Sequence, residues 1–199
     1  RLVRVVSSTN ERMLDGARQL LITLSQIDSV RERNTPECNV LFSNLMRLQP
    51  AYANIAGINL DGSIFGSAAP ITERGNLTER AYFTEATNRL EASAGTYQFE
   101  DVARRSTVNI GYPIFDRHHR LAGVIFGSID LSWMRSVVTN TDLPPNVSLT
   151  LSDSKRVTLF RHPDLEGKYI GRPWEDFYPT RVRTFVERPL DYYLQERAS

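Results

Sequence analysis

The sequence predicts an α+β fold built on an antiparallel sheet, and three observations carry that reading. Apolar residues recur at helical spacing over the first 30 or so residues. From Tyr52 onward, short β-compatible runs take over, bounded by turn signals. These runs are grouped around helices rather than alternating strictly with them, the order expected of a sheet with helices packed on it rather than of a parallel α/β sheet.

The first helix carries Met13, Leu14, Ala17, Leu20, Leu21, Leu24 and Ile27 at spacings of three and four, one stripe of a helix. Glu11, Arg12, Asp15, Arg18 and Gln19 fall on the opposite face. The stripe either covers the chain's own sheet or pairs with a second copy in a homodimer. Thr35-Pro36-Glu37 signals a second helix, with Thr35 as N-cap, proline at the first helical position and an acid at the positive helix end. It carries Leu41, Phe42, Leu45 and Met46 and stops before Pro50.

Tyr52 to Leu60 reads as a strand, Asp61-Gly62 as a hairpin turn, and Ser63 to Ser67 as the returning strand. A helix is expected from Leu77 to Leu90, with Asn76 as N-cap and Glu79 completing a capping box. Tyr97 to Phe99 and Thr107 to Phe115 read as strands. The turn Asp116-Arg117-His118-His119-Arg120 leads into a further strand from Leu121 to Leu131, and Trp133 to Val138 reads as a short helix. Pro144-Pro145 marks a boundary, after which Val147 to Leu151 and Val157 to Arg161 form a second hairpin. The expected organisation is a helical region at 1–48, a sheet module at 49–143 and a smaller, partial module at 144–199.

Composition narrows the function. The net charge of +1 and the short, interrupted arginine clusters at Arg104-Arg105 and Arg181 to Arg188 give no footprint for nucleic acid. Cys38 is the only cysteine, so neither an intrachain disulfide nor a cysteine-rich zinc site can form. His118 and His119 are adjacent in a charged turn and would point apart in extended chain, which disfavours joint chelation. No metal-protease, nucleophile-elbow or phosphate-loop motif occurs. No cofactor and no catalytic residue are expected. No apolar run reaches the ~20 residues of a membrane-spanning helix, and a chain starting at Arg1 in what reads as mid-helix looks like a piece of a longer one.

The ordered series Tyr52-Ala53-Asn54, Asp61-Gly62, Ser67, Arg80-Ala81-Tyr82-Phe83, Gly111-Tyr112-Pro113-Ile114, Ala122-Gly123-Val124 and Asp130-Leu131 resembles the double Cache domain. Leu149-Thr150-Leu151 through His162-Pro163-Asp164 to Ile170-Gly171 resembles the start of that family's membrane-proximal module. The resemblance implies a periplasmic sensor domain between two transmembrane helices of an inner-membrane receptor, with a PAS-like membrane-distal module at 49–143 and a partial PAS-like membrane-proximal module at 144–199. The output would be a histidine kinase of a two-component system, a diguanylate cyclase or a chemoreceptor. It also implies a small polar ligand (an amino acid, amine or carboxylate) in the membrane-distal module. Two positions depart from the pattern: Gly66 stands where relatives often carry a cysteine, leaving Cys38 without a partner. Gly75 stands where the amino-acid-binding branch has an aromatic residue.

The family's ligand motif falls on Arg80, Tyr82, Phe83 and Asp130, and the chemistry of these residues suits it. A guanidinium holds a carboxylate bidentately, a carboxylate in an apolar strand needs a cationic partner, and aromatic rings wall a pocket. Arg80 and Phe83, three apart, would share a helical face. Tyr97, Phe99 and Asp101 alternate onto one side of a strand expected to face the same pocket, and Tyr112 is a further candidate. The competing structural reading is an internal Arg80–Asp130 salt bridge in a receptor module that binds no ligand and serves only to dimerise.

Overall fold

The computed structural model describes residues 2–71, 76–100, 105–132, 147–153, 155–164, 168–176 and 192–196. Helix α1 (Leu2–Ser25) is followed by a short α2 (Asp28–Arg31) and by α3 (Thr35–Leu48). The cap of α3 lies one residue earlier than expected. Asn34 Oδ1 accepts from the Glu37 amide, and Asn34 Nδ2 donates to Glu37 Oε1 at 2.9 Å, which moves Thr35 and Pro36 into the first turn.

Strands β1 (Tyr52–Asn59), β2 (Ile64–Ser67), β3 (Ser93–Glu100), β4 (Arg105–Phe115) and β5 (Leu121–Asp130) form one antiparallel sheet in the order β2-β1-β5-β4-β3. Helix α4 (Ala81–Arg89) packs on one face, and α1 to α3 on the other. The α1 stripe covers the chain's own sheet: Ala17, Leu21 and Leu24 are buried with Cys38, Phe42, Ile55, Ile110, Ile114, Ile125 and Ile129. On the α4 face, Ala56, Ile58, Leu77, Tyr82, Phe83, Ala86, Val124 and Phe126 form a second cluster. Strand parity explains the division: on β5, Ile125 and Ile129 enter the first cluster and Val124 and Phe126 the second, and on β1 Ile55 enters the first while Ala56 and Ile58 enter the second.

The helix expected from Leu77 is interrupted. Leu77–Glu79 is a single 3₁₀ turn capped by Asn76, and Arg80 is extended (φ −72°, ψ 139°) before α4 begins at Ala81. The Asn76 side chain accepts from the Thr78 amide at 3.0 Å and donates to Glu79. The box therefore holds the 3₁₀ turn and not the longer helix.

A second sheet has the order β7-β6-β8, from β6 (Val147–Ser152), β7 (Thr158–His162) and β8 (Tyr192–Glu196). Its third strand was not read from the sequence. The two sheets meet where Val108 and Leu131 are buried with Leu151, Leu159 and Phe160, with Met13, Leu14 and Tyr97 packed against them. A hydrogen bond joins them as well: the Tyr97 amide donates to Asp153 Oδ2 at 2.8 Å. The expected helix at 133–138 lies outside the described residues, as do Asp101, Arg104, the 181–188 cluster and Gly75. Among the described residues, no helix is long and apolar enough to cross a membrane.

Candidate functional site

The α4 face of the sheet changes character along its length. At one end it is apolar, with Val124 and Phe126 under α4. Tyr82 marks the boundary, fully buried, with its ring centroid 5.0 Å from that of Phe126. The helix approaches so closely here that a Cβ on Gly111 would lie 2.4 Å from the Tyr82 carbonyl oxygen, and one on Gly95 would lie 3.2 Å from the Tyr82 ring. These two glycines let α4 settle on β3 and β4, which fixes where Tyr82 sits.

Beyond Tyr82, the same face becomes polar. The next row across the sheet pairs Asn109 with Ser128, and Ser128 with Asn54. The row after it pairs Gln98 with Thr107, and Thr107 with Asp130. Thr107, Asn109, Ser128 and Asp130 are all buried, at 4%, 0%, 7% and 8% exposure. Asn109 Nδ2 donates to Gln98 Oε1 at 2.6 Å. Asn54 is committed to the neighbouring turn, its amide donating to Ser67 Oγ and its Oδ1 accepting from the Ala69 amide at 3.0 Å. A buried polar surface of this size inside an apolar sheet is what a pocket floor requires, because each such group loses its water and needs a partner.

Asp130 lies at the exit of β5. Its Oδ1 accepts from the Ser132 amide at 2.8 Å, and its Oδ2 lies 3.7 Å from the Arg105 guanidinium. The cationic neighbour found for Asp130 is thus Arg105 on the adjoining strand, a residue read from the sequence as solvated surface. Arg105 is half exposed, so this long contact adds little to stability. Arg80 is half-buried at the start of α4, and its carbonyl accepts from the Phe83 and Thr84 amides. Because Arg80 precedes the helix, it does not share a helical face with Phe83. Phe83 is buried in the apolar cluster beneath α4.

Three further candidates do not face this floor. Tyr97 stands opposite Val108 and packs with Met13 and Leu14 on the α1 side; its hydroxyl lies 3.1 Å from Ser106 Oγ. Phe99 has the same parity as Tyr97 and is 49% exposed. Tyr112 packs against the α1 cluster. The pairing of β3 shifts between Ala94 and Tyr97, and alternation counted along the sequence cannot foresee which face such an irregularity selects. The polar residues of this face (Thr107, Asn109, Ser128 and Gln98) were not singled out from the sequence. The available signal was their parity with Gly111 on one strand and with Asp130 on the next.

At the far end of the sheet, an open cleft of about 550 Å³ is lined by Arg33, Asn59, Leu60, Asp61, Asp116, Arg120, Leu121 and Ala122. Its acids serve their own turns. Asp61 accepts from Ser63, and Asp116 accepts from the His118 and Arg120 amides and pairs with the Arg120 guanidinium at 2.9 Å. The Arg120 amide, more than any other group, holds the Asp116 carboxyl down to a pKa of about 2. His118 and His119 are exposed in this turn, and no metal-holding cluster occurs among the described residues.

In sequence, the chain matches no protein-family model and no curated protein. In structure it is similar to the extracellular domain of a proposed histidine kinase, rpHK1S-Z16, with a TM-score of 0.74 at 16% identity over 88% of this chain and 73% of that one. It is also similar to the ligand-binding domain of the Pseudomonas aeruginosa PAO1 amino acid chemoreceptor PctB in complex with L-Gln (TM-score 0.70, 16% identity, 96% and 85% covered). That of PctC from the same organism, in complex with GABA, matches with a TM-score of 0.68 at 13% identity over 97% and 94%. At these identities the likeness is one of fold. The protein has the α+β architecture of receptor sensor domains, the Cache type that its motifs resemble.

Proposed function

We propose that this chain is the extracytoplasmic sensing region of a transmembrane signalling receptor, that it binds a small polar metabolite, and that it performs no chemistry on it. The observation that carries this reading is the buried polar floor of Thr107, Asn109, Ser128 and Asp130 beside Tyr82, on a fold shared with ligand-binding domains of chemoreceptors. Arg80, at the start of α4, is the carboxylate clamp; Asp130 takes a ligand ammonium, and Tyr82 forms the wall between them and the apolar core. The long helix α1, packed under the same sheet and against the second one, carries the change of state toward the membrane.

The test is a thermal-shift and calorimetric screen with amino acids, amines and organic acids. A ligand at 100 times its Kd stabilises by about 2.7 kcal/mol, several degrees for a domain of this size. Arg80→Ala should abolish binding of a carboxylate ligand while leaving the fold intact. A screen that stabilises nothing overturns the reading in favour of a ligand-free dimerising module. Equal binding by Arg80→Ala and Asp130→Asn removes the site assignment.

A further inference from the structure

We infer that Asn109 reads a hydrogen-bond donor on the ligand, its Oδ1 accepting an N–H from an ammonium or amide group; this rests on the floor beside Tyr82 being the ligand site. Asn109 is completely buried in the middle of β4, and its Nδ2 is engaged by Gln98. Its Oδ1 has no hydrogen-bond partner among the described residues. A buried amide oxygen left in that condition destabilises the free protein, so a group held there needs a reason outside the fold.

The surroundings point to a ligand and away from accidental burial. Ser128 stands directly opposite, and Asp130 is the diagonal neighbour, about 7–8 Å away by the geometry of a sheet face. The residue two positions farther along β4 on this face is Gly111, against which the Tyr82 backbone rests. The floor is therefore closed on that side and polar on the other. An amide oxygen and a carboxylate are both acceptors, so this surface is complementary to the donor-bearing end of a ligand. A carboxylate end would be repelled from it and would fall toward the arginines, Arg80 or Arg105.

Four probes separate the sources of the donor. L-Glutamine carries an ammonium and an amide, GABA an ammonium alone, 4-carbamoylbutyrate an amide alone, and butyrate neither. Calorimetry should show the wild-type protein binding at least one donor-bearing probe and butyrate at least tenfold more weakly. Asn109→Leu, close in shape but with no acceptor, should weaken the bound probe by tenfold or more while its melting temperature without ligand stays level or rises. Loss of affinity together with a lower melting temperature would show a structural role and overturn the inference, as would unchanged affinity in Asn109→Leu. Should that variant not fold, Asn109→Asp keeps the acceptor and should hold GABA at least as tightly as wild type; weaker GABA binding counts against the proposal. If the wild type binds no probe, the site reading fails and this inference with it, whereas binding that ignores Asn109 but responds to Arg80→Ala defeats the inference alone.

Discussion

Gly66 on β2 rests against Cys38 on α3 so closely that a Cβ at residue 66 would lie 2.7 Å from the Cβ of the cysteine. The related sequences that the motifs resemble often carry a cysteine at the position of Gly66, and the fold places the two positions side by side. Cys38 itself is buried, its thiol 3.2 Å from the Ser29 carbonyl. Two bridged cysteines need their Cβ atoms about 3.8 Å apart, so α3 must move outward by about 1 Å to accept the bond. Gly66→Cys should form a disulfide with Cys38 under oxidising conditions, seen as the loss of two hydrogens in the intact mass. The closed loop contributes about 3–4 kcal/mol in the chain-entropy account, less the cost of the shift. Gly66→Ala, which brings the crowding without the bond, should lower stability by about 1–3 kcal/mol in urea denaturation.

The same burial governs how Cys38 titrates. Loss of water, and after it the charge of Glu37, push the thiol from 9.0 up to about 11. The folded state therefore holds its proton where the unfolded state has released it. The stabilisation is full below pH 9.0 and is lost as pH rises through about 11, roughly 2–3 kcal/mol in all. Cys38→Ala should abolish that step in denaturation curves taken between pH 8 and 11. In the native wild type, iodoacetamide at pH 8 should leave Cys38 unmodified until the protein is unfolded.

Gly111 is the contact on which the position of α4 depends. A methyl group there meets the Tyr82 carbonyl oxygen at 2.4 Å, and backbone cannot swing aside as a side chain can. Gly111→Ala should lift α4 from the sheet, costing about 2–3 kcal/mol of stability in chemical denaturation and the binding of any ligand that uses Tyr82. Gly127→Ala is the matched control. Its Cβ would crowd a side chain, the Tyr52 ring at 2.9 Å, and touch Leu21 at 3.8 Å, so it should cost less and leave ligand binding intact.

Asp153 ties the second sheet to the first. It is fully buried; its Oδ2 accepts from the Tyr97 amide, and its Oδ1 accepts from the Lys155 and Val157 amides at 2.9 Å each. Asp153→Ala leaves three amides without their acceptor and should cost about 3 kcal/mol in equilibrium unfolding. Hydrogen exchange should then speed up at Tyr97 as well as within the Asp153–Val157 turn. Acceleration confined to the turn would mean that the bond between the sheets contributes nothing.

Sequence alone determined what depends on neighbours along the chain. The α1 stripe, the Asn76 cap, the turns at Asp61-Gly62 and Asp116 to Arg120, and most strand positions are set by side-chain period and by side chains bonding their own backbone. The break at Arg80 was hidden, because Leu77 to Leu90 has a continuous helical composition and only packing decides that its first turn stands apart from α4. The strand β8 was hidden too, since its pairing with β6 joins residues more than 40 positions apart.

The site divides in the same way. Arg80, Tyr82 and Asp130 could be singled out from residue type and from motifs like those of Cache domains, but their partners could not. Which face of β3 carries Tyr97 was decided by the shift in pairing after Ala94, and the position of Tyr82 by the close approach of α4 at Gly95 and Gly111. The row of Asn109 and Ser128 comes into being only when β4 pairs with β5. Local chemistry therefore named a few members of the proposed site, and the tertiary structure supplied the polar face beside them, because such a surface is made of residues whose only relation is their position across a sheet.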